Sequence, residues 1–350
     1  MGFDPAEAAR WDRDGGFPVH VVKQLADRDW LGGSPLELGE FCAEVGAVCS
    51  SLRGLVTVQG MVSAALSRWG TADQREHWLP RLAAGEEIAG FAATESGAGT
   101  DLAAVGTTID AGPGGLTING EKRWVTCGRI ATVLLVLGVL DGKPATVLVE
   151  TDRAGVCLEP VHDQLGMRAA HIADVRFDQV RVPRENLVAP AGFGLSHVVA
   201  TALDHGRFTV AWGCVGMAEA CLRDAAEHAM IRVQAGVPLA DHQLVRSMVA
   251  RAAVAADNAR LSCTAAAQSR MDCSPDAIAR TIMAKYTASR AAATVSADAV
   301  QILGSAGVAP DSRAGRFYRD AKVMRIIEGA DQVAELHIAD HVLREHRRRT

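Results

Sequence analysis

The sequence predicts an α+β fold that is mainly α. It consists of an N-terminal helical domain, a small central antiparallel β-domain and a C-terminal helical bundle. Apolar residues recur at helical spacing in both terminal parts, short apolar runs separated by turn signals fill the middle, and 350 residues suffice for several packed units. We expect the domain boundaries at residues 1–88, 89–190 and 191–350.

The N-terminal part contains two helix start signals. Ser34-Pro35-Leu36-Glu37 and Thr71-Ala72-Asp73-Gln74 both have the pattern of a capping box, and the first places proline at the first helical position. Behind the first box, apolar residues recur every three or four positions, at Leu38, Phe41, Cys42, Val45, Val48 and Cys49. The pattern predicts a helical domain up to about residue 88.

The middle of the chain has the pattern of short strands. Ala131–Leu140 is a continuous apolar run, and Asp141-Gly142 is a hairpin signal that leads into Ala145–Val149. Asn119-Gly120 has the composition of another turn. Further strands are expected at Val156–Val161 and Val175–Val182.

The last part returns to helical periodicity. Long helices are expected over about Leu195–Gln234, from about Asp241, and from a cap at Ser274-Pro275 to about Leu303. A shorter helix precedes Glu328 and a final one follows it. Helices of this length are typical of bundles.

Charge and composition bear on partners and compartment. The net charge of −5 and the isoelectric point of about 6.1 give no basic signal, so we expect no nucleic-acid partner. Ala131–Leu140 is the most apolar run and is too short to cross a bilayer, so we expect no membrane contact. The eight cysteines lack zinc-binding spacing, so we expect free thiols in a reducing cytoplasm and no metal.

One carboxylate stands at a helix break near the C-terminus. Gly329 is expected to end a helix over Ala321–Ile327, and Asp331 to cap the next helix. Glu328 follows two isoleucines, so it has the surroundings of a general base with a raised pKa. A solvated glutamate at a helix end is the alternative.

Two earlier segments place polar groups beside predicted strands. Phe91–Asp101 is a turn with two glycines that would let a ligand approach the backbone and two threonine hydroxyls, although an ordinary turn has the same composition. In Glu121–Gly128 an indole and a hydroxyl alternate with apolar residues. An ordinary strand with a buried Trp124 is the alternative there.

Together the three segments resemble the acyl-CoA dehydrogenase family. Its pattern is T-E-x-G-A-G-(S/T)-D, then G-x-K-x-W-(I/V)-T-x-G, and later an R-D…I-x-E-G segment that Arg319–Gly329 matches. The resemblance covers the chain from about residue 15 and implies that family's fold, with a C-terminal four-helix bundle. It also implies FAD as cofactor and an acyl thioester as substrate.

The resemblance implies a mechanism as well. Glu328 would remove the α-proton, and hydride would leave the β-carbon for flavin N5, which Thr126 would help to polarise. Trp124 would cover one face of the flavin. Ala330 replaces a usual threonine and lacks a hydroxyl, so its contact would come from the backbone or from Gln332. The implied FAD contacts in these segments are Phe91, Ala93, Thr94, Gly99, Thr100, Trp124, Thr126, Ala330 and Gln332.

Two further matches imply a cofactor site shared between subunits. Arg232–Gln243 resembles a segment whose arginine reaches the FAD pyrophosphate across the interface, with Ala235 in place of the usual phenylalanine. Gln301–Gly307 resembles the segment at the adenosine end of the neighbour's FAD. A homodimer, or a tetramer of paired dimers, is therefore implied. The implied contacts are Arg232, Gln243, Gln301, Gly304 and Ser305.

The implied substrate contacts are Thr100, Asp204, Arg207 and Gly329. Some family members carry the base directly before this arginine on the long helix. Here Gly206 occupies that position, which favours Glu328. Arg207 is expected to contact the substrate or the Glu328 turn, with a structural salt bridge as the alternative.

Three phrases look like one branch of the family, the acyl-ACP dehydrogenases of polyketide gene clusters that help to make methoxymalonyl-ACP. They are Val45–Arg53, Val210–Gly216 and Ile326–Gly329. This branch implies a small oxygenated acyl group on an acyl carrier protein, and a separate electron acceptor. A short-chain acyl-CoA dehydrogenase, a flavin monooxygenase or oxidase, and a non-enzymatic helical interaction protein remain as alternatives.

Overall fold

The structure is a computed structural model that describes residues 3–349, with the side chains of residues 3–347. The predicted order of helices, sheet and helices is confirmed. Both expected capping boxes form, with hydrogen bonds from the backbone N–H of Glu37 to Ser34 and of Gln74 to Thr71. The first helices are α1 (Pro5–Asp14), α2 (His20–Ala26), α3 (Pro35–Gly46), α4 (Ser50–Trp69) and α5 (Ala72–Ala84).

The central part is one mostly antiparallel sheet. Its strands are β1 (Ala89–Ala92), β2 (Thr108–Gly112), β3 (Gly115–Val125), β4 (Val133–Leu140), β5 (Lys143–Glu150), β6 (Val156–Pro160), β7 (Ala173–Val182) and β8 (Leu187–Val188). Their order in the sheet is β6-β7-β3-β2-β4-β5-β8, and β1 lies parallel to β4. The predicted hairpin at Asp141-Gly142 joins β4 and β5.

The expected turn at Asn119-Gly120 is wrong. The chain stays in β3, and its register against β7 shifts between Ile118 and Gly120, which is a β-bulge. Gly120 has φ +146°, and a Cβ there would lie 2.5 Å from Thr107 Oγ1. Asn119 Oδ1 accepts a hydrogen bond from the backbone N–H of Gln179 at 2.8 Å, which fastens the bulge to β7.

The C-terminal part is a bundle of long helices. Its helices are α6 (Ala200–Ile231), α7 (Gln243–Met271), α8 (Ala277–Leu303), α9 (Arg313–Met324) and α10 (Asp331–Arg349). A π-helical turn over Gly194–Val199 leads into α6, and α8 packs against α6, α7, α9 and α10. α6 also packs against α3 and α4, so the N-terminal and C-terminal helices share a core.

Three helix ends differ from the sequence prediction. The helix expected over Ala321–Ile327 ends at Met324, and a turn continues to Glu328. Asp331 does not act as a cap, because its carboxylate binds Arg325, at 2.7 Å from Nε to Oδ2. Ser274 bonds to the N–H of Asp276 at 3.3 Å, and α8 begins only at Ala277. Side-chain ion pairing outweighs local capping preference at Asp331.

All eight cysteines are free thiols. Within residues 3–349, no helix is both long and apolar enough to cross a bilayer. The same residues contain no group of three or more histidine, cysteine, aspartate or glutamate side chains that could hold a metal ion.

We expect Gly216→Ala to lower the melting temperature strongly. A Cβ built on Gly216 lies 1.9 Å from the carbonyl oxygen of Ala43, so α6 and α3 would have to separate. Overpacking against backbone costs about 3 kcal/mol. Gly112→Ala is the matched control, because its Cβ meets nothing within 4 Å. Equal losses in thermal unfolding would contradict close α3–α6 packing.

Candidate active site

The turn that carries Glu328 is held by side chains from two helices. Glu328 has φ +55° and Gly329 has φ +100°, and the left-handed region costs a non-glycine residue about 1 kcal/mol. The carbonyl oxygen of Glu328 accepts a hydrogen bond from Arg207 Nε of α6 at 2.9 Å. The carbonyl oxygen of Gly329 accepts one from Lys285 Nζ of α8 at 2.7 Å. These contacts offset the backbone strain.

The carboxylate of Glu328 points into the protein. The residue is half-buried as a whole, but its Oε2 is inaccessible and has no hydrogen-bond partner. A Cβ built on Gly206 would lie 2.7 Å from this Oε2 and 2.9 Å from Met61 Sδ. The glycine before Arg207 therefore makes room for the carboxylate. A solvated glutamate is not what the structure contains.

Burial controls the ionisation of this carboxyl group. It raises the pKa of Glu328 to about 7, and the cations of Arg207, Lys285 and Arg53 oppose that rise. Arg53 on α4 is 1% exposed, and its Nη1 donates to Thr57 Oγ1 at 2.7 Å. Lys285 is also 1% exposed. The base candidate thus lies among buried positive charges.

The turn after β1 is anchored by Glu95. Its carboxylate accepts hydrogen bonds from Gly106 N, Thr107 Oγ1 and Lys122 Nζ, each at 2.6 Å. Lys122 is fully buried and also donates to the carbonyl oxygen of Ala93 at 3.2 Å. The glutamate in this motif therefore has a structural role that the sequence alone did not reveal. The hydrogen bonds of Glu95 thereby fix the neighbouring Thr94 backbone at the end of β1.

Trp124 is turned out of the sheet. It has φ +60°, lies in a register shift between Lys122 and Val125, and is 51% exposed, so the alternative of a buried indole is wrong. Asp174 on β7 fixes this geometry. Its Oδ1 accepts from the Trp124 N–H at 3.0 Å and its Oδ2 from Arg123 Nε at 2.9 Å.

Helix α4 connects the Trp124 region to Glu328. A Cβ built on Gly54 would lie 3.5 Å from Thr126 Cγ2, so Thr126 packs beside that residue. Seven residues further along α4, Met61 lies beside Gly206 and the Glu328 carboxylate. That separation is about 10 Å along the helix axis. The structure therefore brings Thr126 and Glu328 to the same helix.

The other proposed FAD contacts divide into two groups. Phe91 and Ala93 pack at the end of β1, Gly99 and Thr100 are exposed in the following turn, and Ala330 and Gln332 follow the Glu328 turn. The second group is exposed near the ends of α6 and α8 and at the start of α7. In the described part of one chain, no hydrogen bond links the second group to the Thr94 turn or to Trp124. Its members are Arg232, Gln243, Gln301, Gly304 and Ser305.

The four proposed substrate residues have distinct surroundings. Gly329 belongs to the Glu328 turn, and Arg207 of α6 binds that turn, so the salt-bridge alternative for Arg207 gives way to a backbone hydrogen bond. Asp204 Oδ2 accepts from Arg270 Nη2 at 2.7 Å, while its Oδ1 is buried without a partner. Thr100 is separate from these three, on the exposed turn.

Three residues near Glu328 were missed from the sequence. Lys285 and Arg53 are cations on buried helix faces, and that mismatch is a signal that could have identified them. His205 precedes Gly206, and its Nε2 is buried without a partner. A Cβ built on Gly60 would lie 2.2 Å from this nitrogen, so His205 faces α4. Burial lowers the pKa of His205 to about 4, so it is neutral at pH 7.

Comparison with known protein families gives matches along most of the chain. Models of the acyl-CoA dehydrogenase N-terminal, middle and C-terminal domains match residues 4–86, 90–180 and 193–343. The chain belongs to the acyl-CoA dehydrogenase family. The N-terminal match begins at residue 4, earlier than the resemblance from about residue 15 suggested.

Individual relatives support the same assignment. This acyl-CoA dehydrogenase family member is 31% identical to the mitochondrial short-chain specific acyl-CoA dehydrogenase of Mus musculus, over 97% of this chain and 86% of the relative. It is 38% identical to the structure of FkbI for biosynthesis of the methoxymalonyl extender unit of the FK520 polyketide, with a TM-score of 0.90 and 96% of both chains covered. A glutaryl-CoA dehydrogenase from Mycobacterium smegmatis in complex with FADH2 is 26% identical, with a TM-score of 0.90, and 95% and 88% of the two chains covered.

Membership makes this chain an oxidoreductase with FAD as its cofactor, as expected from the sequence. The surface between the Thr94 turn and Trp124 fits a planar group. Trp124 is 51% exposed, with the Arg123 guanidinium 5.9 Å from its ring centre, and a Cβ added at Gly97 would meet nothing within 4 Å. A Cβ at Gly99 would approach only Thr94 Cγ2, at 4.0 Å. Backbone and ring can therefore both contact a ligand here.

We expect the stability of this family member to depend on pH through Glu328. Its folded pKa of about 7 exceeds the ordinary glutamate value, so its contribution to stability is fully present at low pH and is lost as pH rises to 7. Glu328→Gln mimics the protonated acid, so its gain in melting temperature over the wild type should grow between pH 5 and 7.5. Glu86→Gln, on the surface beyond α5, is the control. A gain that is the same at all pH values would contradict buried ionisation.

Proposed function

We propose that this chain is an FAD-dependent dehydrogenase of a small oxygenated acyl thioester carried on an acyl carrier protein. The observation that carries this proposal is the buried Oε2 of Glu328, which has no hydrogen-bond partner, in a carboxyl group whose pKa burial raises to about 7. A desolvated carboxylate is a stronger base than a solvated one, and it can remove the α-proton of a thioester.

The turn around Glu328 also supplies hydrogen-bond donors. Within residues 3–349, the backbone N–H groups of Glu328, Gly329 and Ala330 donate to no protein acceptor, whereas those of Ile327 and Asp331 do. Such free amides can stabilise the thioester oxygen as the α-proton leaves and negative charge develops there. Base and oxyanion donors would then belong to one rigid turn.

The flavin, when bound, supplies the acceptor for the β-hydride. Phe91, Ala93, Thr94 and Trp124 would hold its ring system, and Thr126 would donate a hydrogen bond to it. The exposed turn with Gly99 and Thr100 would contact its phosphates, and Ala330 and Gln332 would contact it beyond the base. Asp204, Arg207 and Gly329 would line the path of the thioester.

Two buried polar atoms support the proposal that the acyl group carries an oxygen substituent. His205 Nε2 faces α4 at Gly60, and Ser63 Oγ lies one turn further along the same face of α4; neither has a hydrogen-bond partner. Buried polar atoms without partners are costly, and an oxygen substituent on the acyl group would satisfy them. The similarity to FkbI, whose title names methoxymalonyl extender-unit biosynthesis, supports the carrier-protein substrate.

A short-chain acyl-CoA dehydrogenase is the second candidate. The Mus musculus relative supports it directly. The Gly206 arrangement and the Glu328 turn suit both candidates, because they concern the α-proton and not the carrier. The carrier must therefore be tested with substrate.

The assembly is proposed to be a homo-oligomer. The exposed FAD contacts on the bundle would serve the cofactor of a neighbouring subunit. Ile231 and Leu244 near them are both 81% exposed, and exposed apolar groups of this kind mark interfaces. The free thiols suit a reducing cytoplasm, and a separate protein would take up the electrons. We place the domain boundaries at residues 1–88, 89–190 and 191–350.

We expect Glu328→Gln to slow flavin reduction by substrate strongly. Loss of a general base lowers the rate about 1,000-fold, while FAD remains bound. The measurement is anaerobic bleaching of the flavin absorbance. Glu335→Gln, on α10, is the control and should reduce its flavin normally. Unchanged bleaching in Glu328→Gln would refute the assignment of the base.

We expect the wild type to be bleached by a three-carbon oxygenated acyl-ACP and not by the matching acyl-CoA. Bleaching by the CoA ester alone would favour the second candidate. Rapid oxygen consumption with a hydroxylated product would indicate a monooxygenase instead.

The same panel tests the acyl pocket. His205→Leu should lose about 10-fold in its preference for the oxygenated over the plain three-carbon acyl group, because an apolar side chain cannot pair with the oxygen. A preference that stays at the wild-type value would remove His205 from substrate recognition.

A further inference from the structure

Lys285 is a buried cation without a carboxylate partner. It lies on the buried face of α8, between Thr281 and Ala288, and is 1% exposed. Its Nζ donates to the carbonyl oxygen of Gly329 at 2.7 Å. Among the described residues, no aspartate or glutamate oxygen lies within ion-pair distance of it. Lysines are rarely buried in this way, because removing an ammonium group from water is costly unless its charge is compensated.

Glu328 is the carboxylate that shares a cavity with Lys285. The cavity is lined by Arg207, Lys285, Glu328, Gly329 and His337, among others. Charged and titratable groups therefore face it from α6, α8, the Glu328 turn and α10. Arg53 adds a cation from α4.

The next carboxylate along the chain is Asp331. Its charge is shared by Arg325, at 2.7 Å from Nε, and by Arg290, at 3.5 Å from Nη1. Asp331 and Glu328 therefore both attract the Lys285 ammonium, but of these two carboxylates only Glu328 lines the cavity with it.

We propose that Lys285 is a positioning residue for the base, which clamps the Glu328–Gly329 turn and keeps the Glu328 carboxylate ionised in its apolar surroundings. This inference rests on the proposed function. The clamp is geometric, because consecutive carbonyl groups bind Arg207 and Lys285 on different helices. The turn then cannot rotate without breaking one of the two hydrogen bonds.

The charge acts throughout proton transfer. Before transfer, the ammonium stabilises the carboxylate of Glu328. After transfer the carboxyl is neutral and the negative charge lies on the thioester oxygen, so the same ammonium stabilises the product of the step. Burial strengthens both interactions. Lys285 thereby limits how far desolvation suppresses the ionised base.

The test separates charge from hydrogen bonding with three variants. Lys285→Met removes both, Lys285→Gln keeps an N–H donor without charge, and Lys285→Arg keeps both. Lys143→Met, at the exposed start of β5, is the matched control. Should Lys285→Met not fold, Lys285→Gln provides the same test of charge.

The readout is the ionisation of Glu328 itself. Carbon-13 NMR of glutamate-labelled, FAD-loaded protein follows the carboxyl signal with pH, and the signal is assigned by its loss in Glu328→Gln. We expect the ionisation of Glu328 to move up by about one pH unit in Lys285→Met and Lys285→Gln. Lys285→Arg should restore it, and Lys143→Met should leave it unchanged. The pH dependence of flavin reduction should shift in parallel.

An unchanged Glu328 titration in Lys285→Met and Lys285→Gln, with only a lower melting temperature, would overturn the proposal and leave Lys285 a purely structural residue. The titration needs no substrate. If no acyl thioester bleached the wild type, the proposed function would fail on its own, while the shift in Glu328 ionisation would still show whether Lys285 controls that carboxyl group.

Discussion

The strained turn at Glu328 and Gly329 is the constraint on which the site depends. A glutamate in the left-handed region is unfavourable on its own, and two hydrogen bonds from α6 and α8 hold it there. Those helices can reach the turn because they are long and packed against each other. Gly206 is needed in the same place, since a larger residue would occupy the space of the carboxylate. The packing of α6 and α8 therefore also determines where the proposed base lies.

Electrostatics around that turn balances two opposing effects. Burial raises the pKa of Glu328, and three nearby cations oppose this rise, namely half-buried Arg207 and the buried side chains of Lys285 and Arg53. The outcome is a pKa close to 7, the range in which a carboxyl group can both take and release a proton. The cations are costly to bury, and their proximity to the base gives a physical reason for their presence.

The sheet presents the opposite side of the site. Glu95 and Lys122 form a buried ion pair that fixes the turn after β1 at its root. Asp174 and a register shift in β3 turn Trp124 outward. Helix α4 then joins the two halves, with Thr126 near Gly54 and Glu328 near Met61. The proposed flavin-binding surface and the proposed base thus both lie against α4.

The sequence by itself determined the order of helices, sheet and helices and the family, and it identified Glu328 and Gly206 as candidate site positions. It could do so because periodicity, capping boxes and short motifs are local patterns. Tertiary structure decided what depends on distant neighbours. Trp124 is exposed because Asp174 holds its backbone, Asn119-Gly120 forms a bulge because β7 continues alongside it, and Asp331 pairs with Arg325 instead of capping a helix. The contact between Lys285 and the Glu328 turn exists because α8 packs against that turn. The local sequence pattern specifies which helices and strands form. Which partner a buried charge binds, and which groups hold a strained backbone segment, depends on the elements that pack against it.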